Sequence, residues 1–151
     1  MIFEYDKKVR FGEIDEAGIV YFPRFFNFFH LAMEEFFEQA VSVPYSEVIK
    51  KWRVGFPTVR VECDFFRPLQ YGDNIRIAMS FPRLGRSSVR MRYRVRRSRD
   101  QVQVAEALLT TACVDMTTFR ARALPDNLRE VFERYREDDP SSSSPGEMVV
   151  R

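Results

Sequence analysis

The segment from residue 24 to residue 40 constrains the fold of this chain more than any other, because it is a long helix with apolar side chains on most of its surface. Pro23 stands at its first turn, a position that proline favours. Two adjoining helical faces are apolar, and they contain Phe25, Phe29, Ala32 and Phe36, and Phe26, Met33, Phe37 and Ala40. Only a narrow polar stripe remains, made of Asn27, His30, Glu34 and Glu38. Such a helix must be wrapped by the rest of the chain.

Strands that alternate apolar and polar residues supply that wrapping. The first is predicted over residues 2–11, and the last over residues 103–117, with small residues on one side that let the helix approach closely. Three further apolar series have the same period of two: Val59, Val61, Cys63 and Phe65; Ile75, Ile77, Met79 and Phe81; and Val89, Met91, Tyr93 and Val95. The last series alternates with Arg90, Arg92, Arg94 and Arg96, so the sheet has one solvated face. The pattern predicts an α+β domain, with a curved antiparallel sheet of about five strands around the central helix.

One domain accounts for the chain. Its length of 151 residues suits a single core. A final helix is predicted over residues 125–136, with Leu128, Val131, Phe132 and Tyr135 at helical spacing. Beyond it, residues 138–151 are rich in serine, proline and acidic residues, which predicts a flexible C-terminal tail. We therefore assign the domain to residues 1–137.

Composition excludes several classes of function. The net charge is +2 and the arginines are spread along the strands, so nucleic acid is not implied as a partner. No apolar run approaches the roughly 20 residues of a membrane span, and the N-terminus does not have the layout of a signal peptide, so we expect a cytoplasmic protein. Cys63 and Cys113 have no partner at metal-ligand spacing and are expected to be buried thiols. With a single histidine, His30, we expect no metal.

The segment FGEIDEAGIVYFP, residues 11–23, places a carboxylate beside the entrance of the long helix. A helix N-terminus offers unpaired N–H groups and the positive end of its dipole, which can stabilise negative charge on a bound carbonyl oxygen. Asp15 is the candidate nucleophile or general base, and the backbone N–H groups of Tyr21 and Phe22 are the candidate donors. On spacing alone, a turn-capping role for Asp15 is the more common outcome.

Four segments together resemble one family. They are FGEIDEAGIVYFP, then RPLQYGD at residues 67–73, LGRSS at residues 84–88, and Leu124-Pro125 before the final helix. In this order they are similar to the 4-hydroxybenzoyl-CoA thioesterase family of hotdog-fold acyl-CoA thioesterases, over residues 3–135. The resemblance implies a hotdog fold and hydrolysis of a thioester to a carboxylic acid and free CoA, with no cofactor.

The resemblance also assigns roles to residues. The family's aspartate at the position of Asp15 acts on the carbonyl, which the backbone amide at the position of Phe22 polarises. Arg86 and Ser87 align with a segment that contacts the CoA nucleotide, and Arg83 is a further candidate there. Family members are homodimers or homotetramers with the site where two subunits meet. An acyl-CoA is the expected substrate, and an acyl carrier protein is an alternative thioester donor.

Other interpretations stay open. A non-catalytic protein that binds an acyl or aromatic ligand would keep the same pocket, and a hotdog hydratase or dehydratase would need a histidine that this chain lacks at Phe22. His30 is expected to pair on the surface with Glu34, and Glu13 and Glu16 are expected to be solvated. The acyl group, whether aromatic, short and branched, or long, is not set by the sequence, nor is the choice between a nucleophile and a general base for Asp15.

Overall fold

The computed structural model describes residues 1–137. The helices are α1 (Arg24–Phe36), α2 (Tyr45–Lys50) and α3 (Asp126–Arg134). The strands are β1 (Phe3–Lys8), β2 (Val54–Gly55), β3 (Thr58–Phe65), β4 (Asn74–Leu84), β5 (Ser88–Arg97), β6 (Gln103–Ala112) and β7 (Val114–Asp115). Residues 138–151, where a flexible tail is predicted, lie outside the described part of the chain. Within the described part, no helix is long and apolar enough to cross a membrane.

The main sheet has five strands in the order β1-β4-β5-β6-β3, and all neighbouring pairs are antiparallel. The short strands β2 and β7 form a separate pair. The predicted α+β architecture, with five main strands and one long helix, is confirmed. The strand register also defines two ends of the sheet. We call one the Asn74 end, where Lys8 pairs with Asn74 and β3 finishes at Phe65, and the other the hairpin end, where the turn at residues 85–87 joins β4 to β5.

The core lies between α1 and the inner face of the sheet and consists largely of aromatic rings. Phe36 is fully buried and contacts the rings of Phe81 and Phe132, whose centroids lie 5.2 and 5.7 Å from its own. Phe29 of α1 stacks on Tyr93 of β5 at 5.1 Å. The two predicted buried faces of the helix are confirmed except at Phe26, which is 38% exposed, and Ala40, which is half-buried.

The structure departs from the sequence prediction in several elements, and the first strand ends at Lys8 rather than at Phe11. The long helix keeps α geometry only to Phe36, and residues Phe37–Val41 form a wider π turn that ends at Ser42, whose φ is 64°. The last predicted strand is broken at Cys113 into β6 and β7. Helix α2 was not predicted, because six residues after Pro44 are too few to show a helical period.

The apolar residues of β3 are the exception to the packing pattern. Val59 and Val61 are 65% and 45% exposed, because β3 is an edge strand that, among residues 1–137, pairs with β6 alone. An exposed apolar edge strand is a template for pairing with another chain. The strand was therefore predicted correctly from its alternating pattern. The pattern does not show, however, that its apolar side chains are buried within a single chain.

Candidate active site

The loop before α1 is folded back on itself like a small hairpin. Ile14 and Val20 form an isolated antiparallel bridge, and the Asp15 N–H donates to the Ile19 carbonyl at 2.9 Å. Gly18 closes the turn with a φ of +80°, a conformation that suits glycine. The Val20 N–H donates to Leu69 at 2.8 Å, which ties this loop to the RPLQYGD segment.

Asp15 caps this turn and still keeps an oxygen free. Its Oδ1 accepts a hydrogen bond from the Ala17 N–H at 2.8 Å, so the turn-capping role is real. Its Oδ2 has no hydrogen-bond partner among residues 1–137, and the residue is exposed. Capping therefore fixes the orientation of the carboxylate without occupying both of its oxygens.

The entrance of α1 presents one free backbone donor. The Tyr21 N–H donates to the Glu13 carbonyl at 3.1 Å, so it is not available to a ligand, although the sequence suggested it as a donor. Pro23 has no N–H, and the N–H groups of residues 24–26 each donate to the carbonyl three residues back. The Phe22 N–H has no partner in the described part of the chain. It is the donor that this helix start offers to a bound carbonyl oxygen.

Glu13 anchors the loop, and the prediction that it is solvated is wrong. Its side chain is only 13% exposed and forms an ion pair with Lys7 at 3.0 Å. It also accepts the Arg10 N–H at 2.7 Å, while Lys7 lies over the ring of Phe28 at 5.0 Å. Through its side chain and its carbonyl, Glu13 connects β1 to the start of α1. Glu16 is exposed, as predicted.

Arg86 and Ser87 lie at the hairpin end of the sheet. Their carbonyls accept the N–H groups of Leu124 and Cys113, both at 2.8 Å, which fixes the turn, while the Arg86 side chain is exposed. Asp15 belongs to the Asn74 end. Strand β4 has 11 residues and joins the two ends, a span of roughly 33 Å at about 3.3 Å per residue. One protomer therefore does not bring these predicted site residues together.

The other candidate groups are not placed for catalysis. His30 forms an exposed pair with Glu34 at 2.9 Å, as predicted. Cys113 is buried and Cys63 is half-buried, and neither forms a disulfide. Burial raises the pKa of the Cys63 thiol to about 11, with a further contribution from Asp64, so a cysteine nucleophile is disfavoured.

A cavity of about 300 Å³ lies between α1 and the inner face of the sheet, and its walls on the strands were not predicted from the sequence. Helix residues Phe26, His30 and Met33 form one wall, and Met91 and Tyr93 are on the opposite wall. Thr58, Val61, Leu109 and Thr111 of β3 and β6, with Tyr45 and Phe56, complete the lining. One signal was present in the sequence, since Phe26, His30 and Met33 follow one another at spacings of four and three and so lie on the same side of α1.

Residues 9–132 match the family model of the thioesterase-like superfamily, which is most of the chain. The chain belongs to this superfamily. It is 33% identical to the 1,4-dihydroxy-2-naphthoyl-CoA hydrolase of Nostoc punctiforme over 138 residues, which are 91% of each protein.

Solved structures of the thioesterase-like superfamily share the fold. A gentisyl-coenzyme A thioesterase superposes with a TM-score of 0.75 at 26% identity, covering 83% of this chain and 98% of the other. A 1,4-dihydroxy-2-naphthoyl-CoA thioesterase from Synechocystis gives a TM-score of 0.81 at 21% identity, covering 87% and 96% of the two chains. The predicted hotdog fold is confirmed.

Proposed function

We propose that this protein hydrolyses an aromatic acyl-CoA thioester to the carboxylic acid and free CoA, in the manner of the 4-hydroxybenzoyl-CoA thioesterase family. The observation that carries the proposal is that the loop leading into α1 presents two groups, an exposed carboxylate with one oxygen free and a backbone N–H without a partner among residues 1–137. Asp15 supplies the first and Phe22 the second. The relatives support the same reaction, because they are named as CoA thioester hydrolases.

The Phe22 N–H and the positive end of the α1 dipole polarise the thioester carbonyl and stabilise the oxyanion. The Asp15 carboxylate then acts in one of two ways. As a general base it takes a proton from water while the water oxygen attacks the carbonyl carbon, and the C–S bond breaks to release CoA thiolate. As a nucleophile it attacks the carbon itself, expelling CoA thiolate and forming a mixed anhydride that water then hydrolyses. In both routes the Asp15 carboxylate and the Phe22 N–H act on the same thioester carbonyl.

A second copy of the chain completes the site. Antiparallel pairing of two β3 edges would bury Val59 and Val61, and it would be an isologous contact of the kind found in homodimers. It would also place the hairpin end of one protomer beside the Asn74 end of the other. Arg86 and Ser87 of the second copy would then lie at the same end of the assembly as Asp15, where they can bind the CoA nucleotide.

The acyl group that we propose is a hydroxylated aromatic ring. The Nostoc relative is named for a dihydroxynaphthoyl thioester, and a solved relative for a gentisyl thioester. The cavity beside α1 is lined by aromatic and aliphatic side chains and suits a flat ring. A carrier-protein thioester as substrate and a cytoplasmic location stay predictions.

Release of free thiol from a panel of CoA thioesters tests the activity. We expect turnover of benzoyl-CoA and hydroxybenzoyl-CoA, with slower turnover of acetyl-CoA because a two-carbon acyl group leaves the cavity unfilled. Absence of thiol release from every member of the panel would contradict the proposed hydrolysis and favour the ligand-binding alternative.

Arg86→Ala is expected to raise KM for acyl-CoA about 3- to 10-fold with little change in kcat, because an exposed arginine that binds phosphate contributes about 1 kcal/mol of charge-assisted binding. The effect should shrink as salt is added. Arg96→Ala is the matched control, since Arg96 is also exposed but belongs to the solvated outer face of β5, where it alternates with the buried Val95. Equal effects of the two substitutions would indicate general charge attraction rather than a site at Arg86.

Mixing subunits tests whether the site is shared. In a heterodimer of Asp15→Asn and Arg86→Ala chains, a shared site would pair the intact Asp15 of one subunit with the intact Arg86 of the other. Refolding the two variants together should then restore about a quarter of the wild-type sites, the random-assortment value for a symmetric dimer. If the refolded mixture, assayed at low substrate, is no more active than the sum of the separate variants, both residues of each site belong to one chain.

A further inference from the structure

The phenol of Tyr93 is the most unusual polar group in the described core. The residue is 1% exposed, and the hydrogen-bond partner of its hydroxyl is the Met91 Sδ at 3.4 Å. A thioether is a weak acceptor, and buried hydroxyls normally find an oxygen or nitrogen partner. The hydroxyl therefore keeps hydrogen-bonding capacity that the protein itself does not use.

Packing alone does not explain why a tyrosine stands here. The ring of Tyr93 stacks on Phe29 at 5.1 Å, and a phenylalanine would preserve that contact without burying a hydroxyl. Burial raises the pKa of the Tyr93 phenol, and Tyr45 adds to the rise, so the group stays protonated and can donate. Its role is that of a neutral donor and acceptor, not of a base.

Tyr93 lines the cavity beside α1 together with four other side chains that carry a polar group, His30, Tyr45, Thr58 and Thr111. The Thr111 hydroxyl donates to the Val89 carbonyl at 3.1 Å. Tyr45 is half-buried, Thr58 is exposed, and His30 is paired with Glu34 on the surface. The Tyr93 hydroxyl differs from all four, because it is fully buried and its hydrogen-bond partner is only a sulfur.

The cavity also lies close to the helix entrance. Phe26, on its wall, lies in the first turn of α1, which begins at Arg24. An acyl group whose carbonyl oxygen accepts the Phe22 N–H can extend into this space. The far side of a ring placed there would face β5, the strand that carries Tyr93.

We propose that the Tyr93 hydroxyl is a specificity-determining group, which hydrogen-bonds a hydroxyl on the ring of the acyl substrate. The inference rests on the proposed thioesterase activity and extends it, because it names the residue that separates hydroxylated from plain aromatic acyl groups. A hydroxylated ring satisfies the buried phenol, whereas a plain ring leaves it with the Met91 sulfur alone.

The test compares wild type with Tyr93→Phe on benzoyl-CoA and on its ortho-, meta- and para-hydroxy derivatives. We expect wild type to favour one hydroxy isomer over benzoyl-CoA by at least 10-fold in kcat/KM. Tyr93→Phe should lose about 10- to 100-fold on that isomer and change by less than about 3-fold on benzoyl-CoA. Tyr135→Phe is the matched control, because Tyr135 is a half-buried tyrosine outside the cavity, and it should leave the preference intact.

Binding of the free acids, measured by calorimetry, supplies a readout that needs no turnover. Wild type should bind the favoured hydroxybenzoate more tightly than benzoate, and Tyr93→Phe should abolish the difference while melting within a few degrees of wild type. An unchanged hydroxyl preference in Tyr93→Phe, or a parallel loss on every ligand, would overturn the inference even if hydrolysis is intact. If no thioester is hydrolysed but wild type still binds the favoured hydroxybenzoate more tightly in a way that depends on Tyr93, the proposed activity is overturned and the role of Tyr93 is not.

Discussion

Asp15→Asn is expected to fold normally and to release thiol from acyl-CoA about 10²- to 10⁴-fold more slowly than wild type, whether the carboxylate acts as a base or as a nucleophile. An amide is neither basic nor nucleophilic at neutral pH. The asparagine Oδ1 can still accept the Ala17 N–H, so the turn that Asp15 caps is preserved. The substitution therefore removes the chemistry and leaves the local structure in place.

The measurement is kcat with saturating substrate, with thermal melting to check folding. Glu16→Gln is the matched control, since Glu16 is an exposed carboxylate one residue away, and its activity should stay within about 2-fold of wild type. An Asp15→Asn protein as active as the Glu16→Gln protein would show that Asp15 only caps the turn. The catalytic group would then have to be sought elsewhere.

Phe36→Ala is expected to lower the free energy of unfolding by about 3–5 kcal/mol, the range for a large aromatic side chain deleted from a close-packed core. Phe36 is fully buried. Its ring contacts Phe3 of β1, Phe81 of β4 and Phe132 of α3, with centroids 5.2 to 5.7 Å away. Four elements meet at this one ring, so the cavity left by alanine cannot be filled by movement of a single neighbour.

Urea unfolding at a fixed protein concentration measures the loss, since the stability of the proposed dimer would depend on concentration. Phe11→Ala is the control. Phe11 is 75% exposed and makes one edge contact with Tyr71, so its deletion should change stability by less than about 1 kcal/mol. Similar losses for the two variants would mean that Phe36 is not at the centre of the core.

The parts of the fold that the sequence predicted are those with a long repeating pattern. Helix α1 and the strands β4, β5 and β6 repeat their apolar residues over many positions, and each pattern corresponds to one buried face. Patterns in short segments were not informative, and α2 was missed for that reason. For β3 the pattern correctly gave a strand, but it could not tell whether a neighbour in the same protomer or in another covers the apolar face.

For the site, the sequence identified the groups and the structure defined which of them are available. Asp15 and Phe22 both lie shortly before Pro23 in the sequence, so their placement at the helix entrance could be predicted from the local sequence alone. The engagement of Tyr21 with Glu13, and of Glu13 with Lys7, depends on how the loop folds back on β1. Tyr93 was assigned only to the core, since nothing in an alternating strand shows that one of its buried hydroxyls lacks a strong partner.

A dimer formed through the exposed edge of β3 would make dilution a variable of this protein's chemistry. If the nucleotide of each substrate is held by a neighbouring subunit, a protomer that has separated from its partner keeps the carboxylate but loses much of its hold on CoA. Specific activity would then fall as the protein is diluted below its own dissociation constant, and added substrate, which bridges the two subunits, would shift that threshold to lower concentration. The abundance of the protein and the supply of its thioester would jointly set its rate.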